Sequence, residues 1–391
     1  MDSPRGRIYL MQMAKDGVLE RTPQWVGHFD ACLGCMACMP ACPSGVPYDQ
    51  LIETTRAQIA STHVRPASER LYRRLLFATL PRPDRLRLLR WPMAAYQRSG
   101  VQSLVKKSGL LNRLPAGLRA MEDLMPAVGK RETTPRTTAA SGQPRGRVGM
   151  LLGCVQREFL SPVNAATARV LAAEGYEVVA PEEQPCCGAL LTHAGEEDAA
   201  KAYAKQMIDA FDRAGVEFIA INAAGCGSAM KEYGRLLRDD APYAERAAAF
   251  SAKCRDVTEL LAAHAPRAER HPLKLRVAYQ DACHLQHAQG VRSQPRALLS
   301  QIPGVELLDI PEAAICCGSA GIYNLVQPDA ANELGDRKAA HVSALQPDVV
   351  ATGNPGCLLQ LQTSLARAGR NIPVVHTMQL IDASIRGTGR I

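Results

Sequence analysis

Twelve of the 13 cysteines fall into three groups whose spacing suits metal or iron–sulphur binding. The first group is Cys32-x2-Cys35-x2-Cys38-x3-Cys42-Pro43, which has the spacing of bacterial ferredoxins. Cysteines two residues apart wrap one face of a cubane, so the motif predicts a [4Fe-4S] cluster. A structural zinc site is the weaker alternative for this spacing.

The other two groups are copies of one pattern, a cysteine, a Cys-Cys-Gly turn and a further cysteine, offset by 129 to 131 residues. The first copy contains Cys154, Cys186, Cys187 and Cys226, and the second contains Cys283, Cys316, Cys317 and Cys357. Four thiolates suit an iron–sulphur centre, cubane or non-cubane, and adjacent cysteines fit one tetrahedral zinc poorly. Zinc and a vicinal disulfide stay open as alternatives. Cys254 has no counterpart, so we expect an ordinary part-buried cysteine.

Each copy alternates strand-like runs, such as VGMLLG, YEVVA and EFIAIN, with Ala-rich and Leu-rich helical runs. This alternation is typical of a mainly parallel sheet covered by helices. Cys154, Cys226, Cys283 and Cys357 follow strand-like runs, which places them at the carboxyl ends of strands, where ligand crevices form. The predicted fold class is α/β, with two repeated Cys-Cys-Gly domains behind a small all-α ferredoxin-like domain.

A length of 391 residues indicates several domains. We predict a helical ferredoxin-like domain with basic helices over 1–125 and a linker over 126–146, which is rich in Thr, Pro, Gly and Ser. The first Cys-Cys-Gly domain is predicted over 147–270 and the second over 271–391. An odd cysteine count argues against a secreted disulfide scaffold. A polar start and the lack of an apolar run near ~18 residues predict a cytoplasmic protein.

The formal charge of +8 is concentrated in one segment. Residues 65–131 hold 15 Lys or Arg and 4 Asp or Glu, and apolar and basic residues alternate there at helical spacing. Two interpretations stay open, a solvated basic face or a peripheral contact with the anionic inner face of the cytoplasmic membrane. Nucleic-acid binding is not predicted, because aromatics are 5% and no such motif is present.

Three histidines lie near the repeated cysteines. His284 and His287 flank Cys283, and His193 follows the first Cys-Cys-Gly turn. Beside a metal centre, histidine tunes a potential, binds a substrate anion or relays a proton. A purely structural hydrogen-bonding role is the alternative.

The chain resembles, over nearly its whole length, the glycolate oxidase iron–sulphur subunit family. This family is related to the Cys-Cys-Gly subunit of heterodisulfide reductase and to lactate-utilisation iron–sulphur subunits. The segments that carry the resemblance are Ser3–Met11, Cys42–Val46, Cys186–Leu190, Asn222–Ser228, Asp281–His287, Cys316–Gly321 and Gly353–Cys357.

The resemblance implies an electron-transfer subunit of a flavin-dependent 2-hydroxy-acid oxidase or dehydrogenase of the glycolate type. An FAD-containing dehydrogenase subunit would supply electrons, and this chain would pass them towards a membrane quinone without being active alone. All twelve grouped cysteines are then ligands of iron–sulphur clusters, and no catalytic residue is predicted. The rival functions are a thiol or disulfide reductase of the heterodisulfide reductase type and a zinc-bound assembly scaffold.

Two departures from the related proteins matter. Ala229 and Gln360 stand where heterodisulfide reductase has the last cysteine of C-x2-C, which favours electron transfer over disulfide cleavage. The family usually carries an earlier C-x2-C-x2-C-x3-C-P motif upstream of Ser3–Met11. In two-cluster ferredoxins the fourth cysteine of each motif ligates the other cluster. We therefore expect Met1 to be an internal or mis-assigned start. The alternatives are that the four cysteines share one cluster or that another subunit supplies the missing ligand.

Overall fold

The computed structural model describes residues 1–389, so 390–391, the end of the second predicted Cys-Cys-Gly domain, lie outside the described part. Helices fill the first third of the chain, and two mainly parallel sheets follow. This confirms the predicted mixed α/β class. Among residues 1–389, no helix is long and apolar enough to span a bilayer.

The N-terminal third is built from short helices that begin at prolines or at capping side chains. Ser3 and Thr22 accept backbone N–H groups at the starts of the first two helices, and Pro4 and Pro23 occupy the first helical positions. The elements are α1 (Pro4–Lys15), α2 (Pro23–Asp30), α3 (Tyr48–Thr62), α4 (Ala67–Thr79), α5 (Pro83–Arg98), α6 (Val101–Lys107), a 3-10 turn (Leu110–Arg113) and α7 (Ala116–Asp123). That this part forms a ferredoxin-like domain stays a prediction.

The first repeat forms a sheet with strand order β1-β3-β2-β4-β5. All pairs are parallel except β1 with β3. Its elements are β1 (Thr137–Thr138), β2 (Gly146–Met150), α8 (Val155–Phe159), α9 (Ser161–Ala173), β3 (Tyr176–Val179), α10 (Ala189–Ala194), α11 (Glu197–Ala214), β4 (Phe218–Ile221), α12 (Ala224–Lys231), α13 (Tyr233–Leu236), α14 (Ala244–Lys253), β5 (Cys254–Asp256) and α15 (Val257–Ala262).

The second repeat forms a fully parallel sheet with the equivalent strand order, β7-β6-β8-β9. Its elements are β6 (Leu275–Gln280), a π-helical turn (His284–Ala288), α16 (Ser293–Ser300), β7 (Val305–Asp309), α17 (Tyr323–Val326), α18 (Pro328–Leu345), β8 (Val349–Thr352), α19 (Pro355–Arg367), β9 (Val374–His376) and α20 (Thr377–Arg386).

Helices of the two repeats pack against each other across one shared core. Helix α9 of the first repeat packs on α20 of the second, and α16 of the second packs on α15 of the first. Buried aliphatic side chains of both sheets, including Val148 and Val277, form a single cluster. Arg169 donates 2.7 Å to Asp382 across the same boundary. This packing turns the cysteine-bearing edges of the two sheets towards each other.

The segment predicted as a linker, 126–146, carries part of the first sheet. Thr137 and Thr138 pair antiparallel with Val179 and Val178. Because this pairing covers the outer edge of β3, it satisfies backbone groups that an edge strand leaves open. A two-residue threonine strand has no apolar alternation, so the composition of the segment did not reveal it. The domain boundaries stay predictions.

Candidate metal centres

The N-terminal motif occupies the loop between α2 and α3. Cys32 is buried, and its Sγ accepts the backbone N–H of Gly34 at 3.4 Å and lies 3.6 Å from Oη of Tyr48. The guanidinium of Arg56 donates to the carbonyl oxygen of Cys32. Gly34 and Met36 have φ values of +65° and +59°, so the chain curls tightly between Cys32 and Cys38. The loop thereby directs backbone N–H groups at sulphur.

The four thiols of this motif have different surroundings. Burial, followed by the fields of Cys35 and Cys32, raises the pKa of Cys38 to about 11. Burial also raises the pKa of Cys35. Cys42 is the most solvated, and backbone N–H groups of Val46 and its neighbours lower its pKa. Cys32, Cys35 and Cys38 therefore form a mutually interacting group, with Cys42 at its rim beside Cys38.

In the first repeat the four predicted cysteines form one continuous group. The thiol of Cys186 lies 3.6 Å from Cys154, and Cys187 interacts with both Cys186 and Cys226. The pKa of Cys154 is raised, first by its contact with Cys186 and then by burial. Tyr233 donates to the carbonyl oxygen of Cys187 at 2.7 Å, which fixes the turn from behind.

The second repeat reproduces the group. The thiols of Cys283 and Cys316 are 4.0 Å apart, and Cys317 interacts with Cys316 and Cys357. All four cysteines are buried, with exposed fractions of 7% or less. The contact with Cys316, followed by burial, raises the pKa of Cys283. The structure thus brings together both predicted sets of four.

Each Cys-Cys-Gly turn requires its glycine. Gly188 and Gly318 have φ values of +75° and +92°, which L side chains rarely adopt. Their N–H groups donate 3.4 Å to Cys186 and Cys316, respectively. A Cβ on Gly318 would lie 2.3 Å from the carbonyl oxygen of Ala331. The glycine therefore lets the backbone turn back onto the first cysteine of the pair.

The thiol groups suit a multi-iron centre better than one zinc ion. Each repeat offers four soft sulphur donors, all buried except the half-buried Cys226, with a backbone N–H on one of them. These are the donors and outer contacts that iron–sulphur centres use.

The N-terminal motif lies against the second repeat. Burial raises the pKa of Cys35, and an electrostatic interaction with Cys283 raises it further, so these two thiols lie near each other across the boundary. Tyr323 of α17 donates 3.4 Å to the carbonyl oxygen of Ala31, and its pKa is raised by burial and then by Cys32. The motif and the second set of thiols are therefore neighbours.

The loops that carry the two repeated sets also contact each other. Asn354 accepts the backbone N–H of Gly225, which precedes Cys226, at 3.2 Å. The same side chain places Nδ2 3.5 Å from Sγ of Cys357. The backbone N–H of Ala224 donates 3.1 Å to the carbonyl oxygen of Gly353. One amide side chain thus touches both cysteine loops.

Two of the three predicted histidines lie together between these sites. The rings of His193 and His284 are 4.8 Å apart and tilted by 40°. Burial, followed by the charge of His193, lowers the pKa of His284 to about 3, so its ring is neutral at neutral pH. His287 turns away and contacts the carbonyl oxygen of Ala314 at 3.0 Å.

Comparison with known proteins matches the same segments. A family profile described as "Glycolate oxidase iron-sulfur subunit, linker region" matches residues 68–125, and one described as "Cysteine-rich domain" matches 148–231 and 277–362. The chain is 40% identical to the "Probable glycolate oxidase iron-sulfur subunit" of Bacillus subtilis (strain 168), over 97% of this chain and 87% of that protein. The chain belongs to the glycolate oxidase iron–sulphur subunit family.

Further family members agree with this assignment. The "Glycolate oxidase iron-sulfur subunit" of Escherichia coli (strain K12) is 35% identical over 98% of this chain and 88% of that protein. "Lactate utilization protein A" of Oceanobacillus iheyensis is 27% identical over 62% of this chain and 98% of that protein. The two cysteine-rich domains hold all eight repeated cysteines, and the family's linker region covers nearly all of α4 to α7. Family membership supports iron–sulphur and oxidoreductase function.

Four residues of these family sites were missed from the sequence. Asn354 differs from its counterpart in the first copy, Ala223, so a search for differences between the copies would have identified it. Lys338 is 1% exposed in the helix behind Cys316 and Cys317. Its burial could not be predicted, because a lysine in an Ala-rich helical run is usually exposed. Glu53 and Arg235 come together only in the tertiary fold.

Proposed function

We propose that the chain is the electron-transfer subunit of a flavin-dependent 2-hydroxy-acid oxidase or dehydrogenase of the glycolate type. The observation that carries this proposal is the near-continuous row of mostly buried thiols. It runs from Cys38 through Cys35 to the second set, beginning at Cys283, and through Asn354 to the first set at Cys226. Such a row suits the passage of single electrons between neighbouring centres.

In this proposal Cys32, Cys35, Cys38 and Cys42 hold a [4Fe-4S] cluster. The two sets of four in the repeats hold iron–sulphur centres. When bound, these centres store and release single electrons. The chain's own residues bury seven of the eight repeated cysteines, all except Cys226, and direct backbone N–H groups at Cys32, Cys186 and Cys316.

The partner in this proposal is an FAD-containing subunit that oxidises the 2-hydroxy acid, and the final acceptor is a membrane quinone. The support comes from the relatives, which are named as subunits of glycolate oxidase. A flavin accepts two electrons from the substrate and releases them singly, which matches a row of one-electron centres. The chain then supplies a path and no substrate chemistry.

The basic helices are proposed to rest on the anionic inner membrane surface. Trp91 is 83% exposed, and Leu88 is exposed one helical turn before it on α5. Exposed Leu71 on α4 lies next to the exposed Arg70 and Arg74. Apolar side chains that enter the headgroup region, flanked by cations that pair with lipid phosphates, are typical of peripheral membrane helices.

Anaerobic purification followed by iron, sulphide and zinc analysis tests the electron-transfer function. We expect a brown protein with visible charge-transfer absorption and stoichiometric iron and sulphide. A colourless protein that contains zinc alone would overturn the proposal in favour of the assembly scaffold. Steady turnover of disulfides by the isolated chain with a reduced dye would favour the disulfide reductase instead.

Membrane contact is tested separately with charge variants of the full complex. Replacing Arg70, Arg74 and Arg98 with Gln is expected to shift the complex from the membrane to the supernatant fraction at low salt, and the difference from the wild type should shrink at high salt, which screens the same attraction. Replacing three exposed cations of the repeats, Arg213, Lys274 and Arg370, with Gln is the matched control and should leave fractionation unchanged. Equal behaviour of both sets would contradict the contact.

A further inference from the structure

The two repeated sites differ in their side-chain contacts to sulphur. In the second repeat, Nδ1 of His284 lies 3.6 Å from Sγ of Cys283, and Nδ2 of Asn354 lies 3.5 Å from Sγ of Cys357. The equivalent positions of the first repeat are Val155 and Ala223, which carry no side-chain N–H group. The second site therefore has two side-chain nitrogen atoms close to sulphur at positions where the first has none.

The Asn354 contact is held by the fold. Asn354 precedes α19 in the N-cap position, where asparagine usually accepts an N–H group of its own helix. Its side chain makes no such bond here. Its Oδ1 accepts the backbone N–H of Gly225 from the other repeat at 3.2 Å. Because this bond fixes the amide plane, Nδ2 is left facing the thiol of Cys357.

The His284 contact follows from the chain direction after Cys283. The side chain is 8% exposed, and the ring of His193 covers it at 4.8 Å. Within residues 1–389, Nε2 of His284 has no hydrogen-bond partner. The Nδ1–H tautomer makes the contact with Cys283 a hydrogen bond from the ring to sulphur.

Fixed cations do not offset this difference. Lys338 acts on Cys316 and Cys317 in the second site, and its counterpart in the first repeat is the buried Met207. The first site instead has Arg157, which acts on Cys154. A cation thus acts on cysteines of each site. The side-chain contacts to sulphur are a further asymmetry, beside the half-buried position of Cys226 in the first site.

We propose that the second repeated centre has the higher reduction potential and that Asn354 is a positioning residue that sets it. This inference rests on the proposed electron-transfer function. Reduction adds negative charge to a cluster and its sulphurs, and an N–H donor stabilises that charge more than it stabilises the oxidised state. Electrons that reach the two repeats therefore collect at the second centre, next to Cys35 of the N-terminal motif.

The test is an EPR-monitored redox titration of the full chain with its clusters in place. Signals are assigned to each repeat by the altered spectra of Cys154→Ser and Cys283→Ser. In Asn354→Ala, the ratio of reduced to oxidised second centre at a fixed potential should fall about tenfold, which is ~59 mV for one electron. Asn354→Asp, which keeps an acceptor for Gly225 but loses the N–H donor and adds charge, should lower it further.

The reciprocal variant Ala223→Asn gives an independent check, because it offers a donor near Cys226 while leaving Asn354 in place. It should raise the potential of the first centre alone. If Asn354→Ala does not assemble, Asn354→Asp and Ala223→Asn decide the question.

The possible failures are distinct. Two assigned centres whose order is reversed, or whose potentials ignore these variants, would overturn the inference and leave the proposed function standing. A wild-type chain that carries no iron or sulphide would remove the proposed function, and the inference with it.

Discussion

The carboxylate of Glu53 in α3 lies 3.6 Å from Nδ1 of His193 in α10, and it also pairs with Arg235 of α13. Burial alone would raise the pKa of Glu53, but the bond to His193 and the charge of Arg235 outweigh it and lower that pKa. The ring of His193 in turn contacts His284 of the second repeat. Glu53 therefore joins the N-terminal helices to both repeats.

Replacing Glu53 with Gln is expected to lower the free energy of unfolding by about 2 kcal/mol, the usual size of a lost charged hydrogen bond. The reason is that the guanidinium of Arg235, which is only 23% exposed, loses its buried partner. Anaerobic urea denaturation followed by circular dichroism measures the change.

Asp239→Asn is the control for this prediction. Its partner is Arg238, and both side chains are largely exposed, at 67% for Arg238 and 88% for Asp239, so no measurable change is expected. If Glu53→Gln were as stable as Asp239→Asn, the junction would not depend on the ion pair.

The two Cys-Cys-Gly glycines should differ in their tolerance of a methyl group. Gly318→Ala brings Cβ to 2.3 Å from the carbonyl oxygen of Ala331, whereas Gly188→Ala leaves 3.4 Å to that of Ala200. Both substitutions incur the cost of a left-handed backbone, about 1–2 kcal/mol. Gly318→Ala adds a steric clash of about 1–3 kcal/mol.

Denaturation midpoints and iron content measure this difference. Gly318→Ala should be the less stable variant and should lose iron from the second site. Equal losses in both variants would show that the backbone near Ala331 moves away, against the expectation from the packing.

Cys254 should be dispensable for metal binding. It is fully buried in β5 rather than part-buried as the sequence suggested, and burial raises its pKa to about 12, so the thiol stays protonated. Val374 occupies the equivalent position of β9. Cys254→Val should therefore keep full iron and sulphide content and cost less than about 1.5 kcal/mol.

Cys226→Val is the matched comparison, because it changes a thiol of the first set in the same way. It should lower the iron content of the chain. A loss of iron from Cys254→Val equal to that from Cys226→Val would mean that the assignment of twelve grouped cysteines is wrong.

Much of the fold could be predicted because the sequence contains two copies of one domain pattern. Matched cysteines, glycines and strand-like runs predicted two mainly parallel α/β units, and the structure has them with equivalent strand orders. Asp256 and His376 are equivalent in the two repeats, since each caps the helix that follows its strand. Local periodicity and internal repetition carry this information without any knowledge of long-range contacts.

The contacts between the parts could not be predicted in this way. The packing of helices from one repeat on those of the other, and the nearness of Cys35 to Cys283, depend on which surfaces of the folded parts meet. Neither leaves a local pattern in the sequence. The same holds for Asn354, whose role depends on Gly225 in the other repeat. Twofold repetition predicts equivalent sites, so it conceals the residues that make them unequal.

The two capping residues should give the stability of the protein opposite dependences on pH. Burial raises the pKa of Asp256 from an ordinary 3.8 to about 6, and burial lowers the pKa of His376 from 6.5 to about 4. Native Asp256 holds its proton longer than the unfolded chain does, so stability falls as pH rises from 4 to 6. Native His376 resists protonation, so stability falls as pH drops from 6.5 to 4.

In the wild type these two slopes oppose each other between pH 4 and 6.5, and single variants should reveal them. Asp256→Asn keeps a good N-cap and should make stability rise more steeply with pH, by up to about 3 kcal/mol over this range. His376→Asn leaves only the contribution of Asp256, so stability should fall as pH rises from 4 to 6 more than it does in the wild type. Denaturation at half-unit pH steps measures both, and the double variant should restore a pH dependence close to that of the wild type. Single variants that track the wild-type curve would show that neither cap titrates with folding.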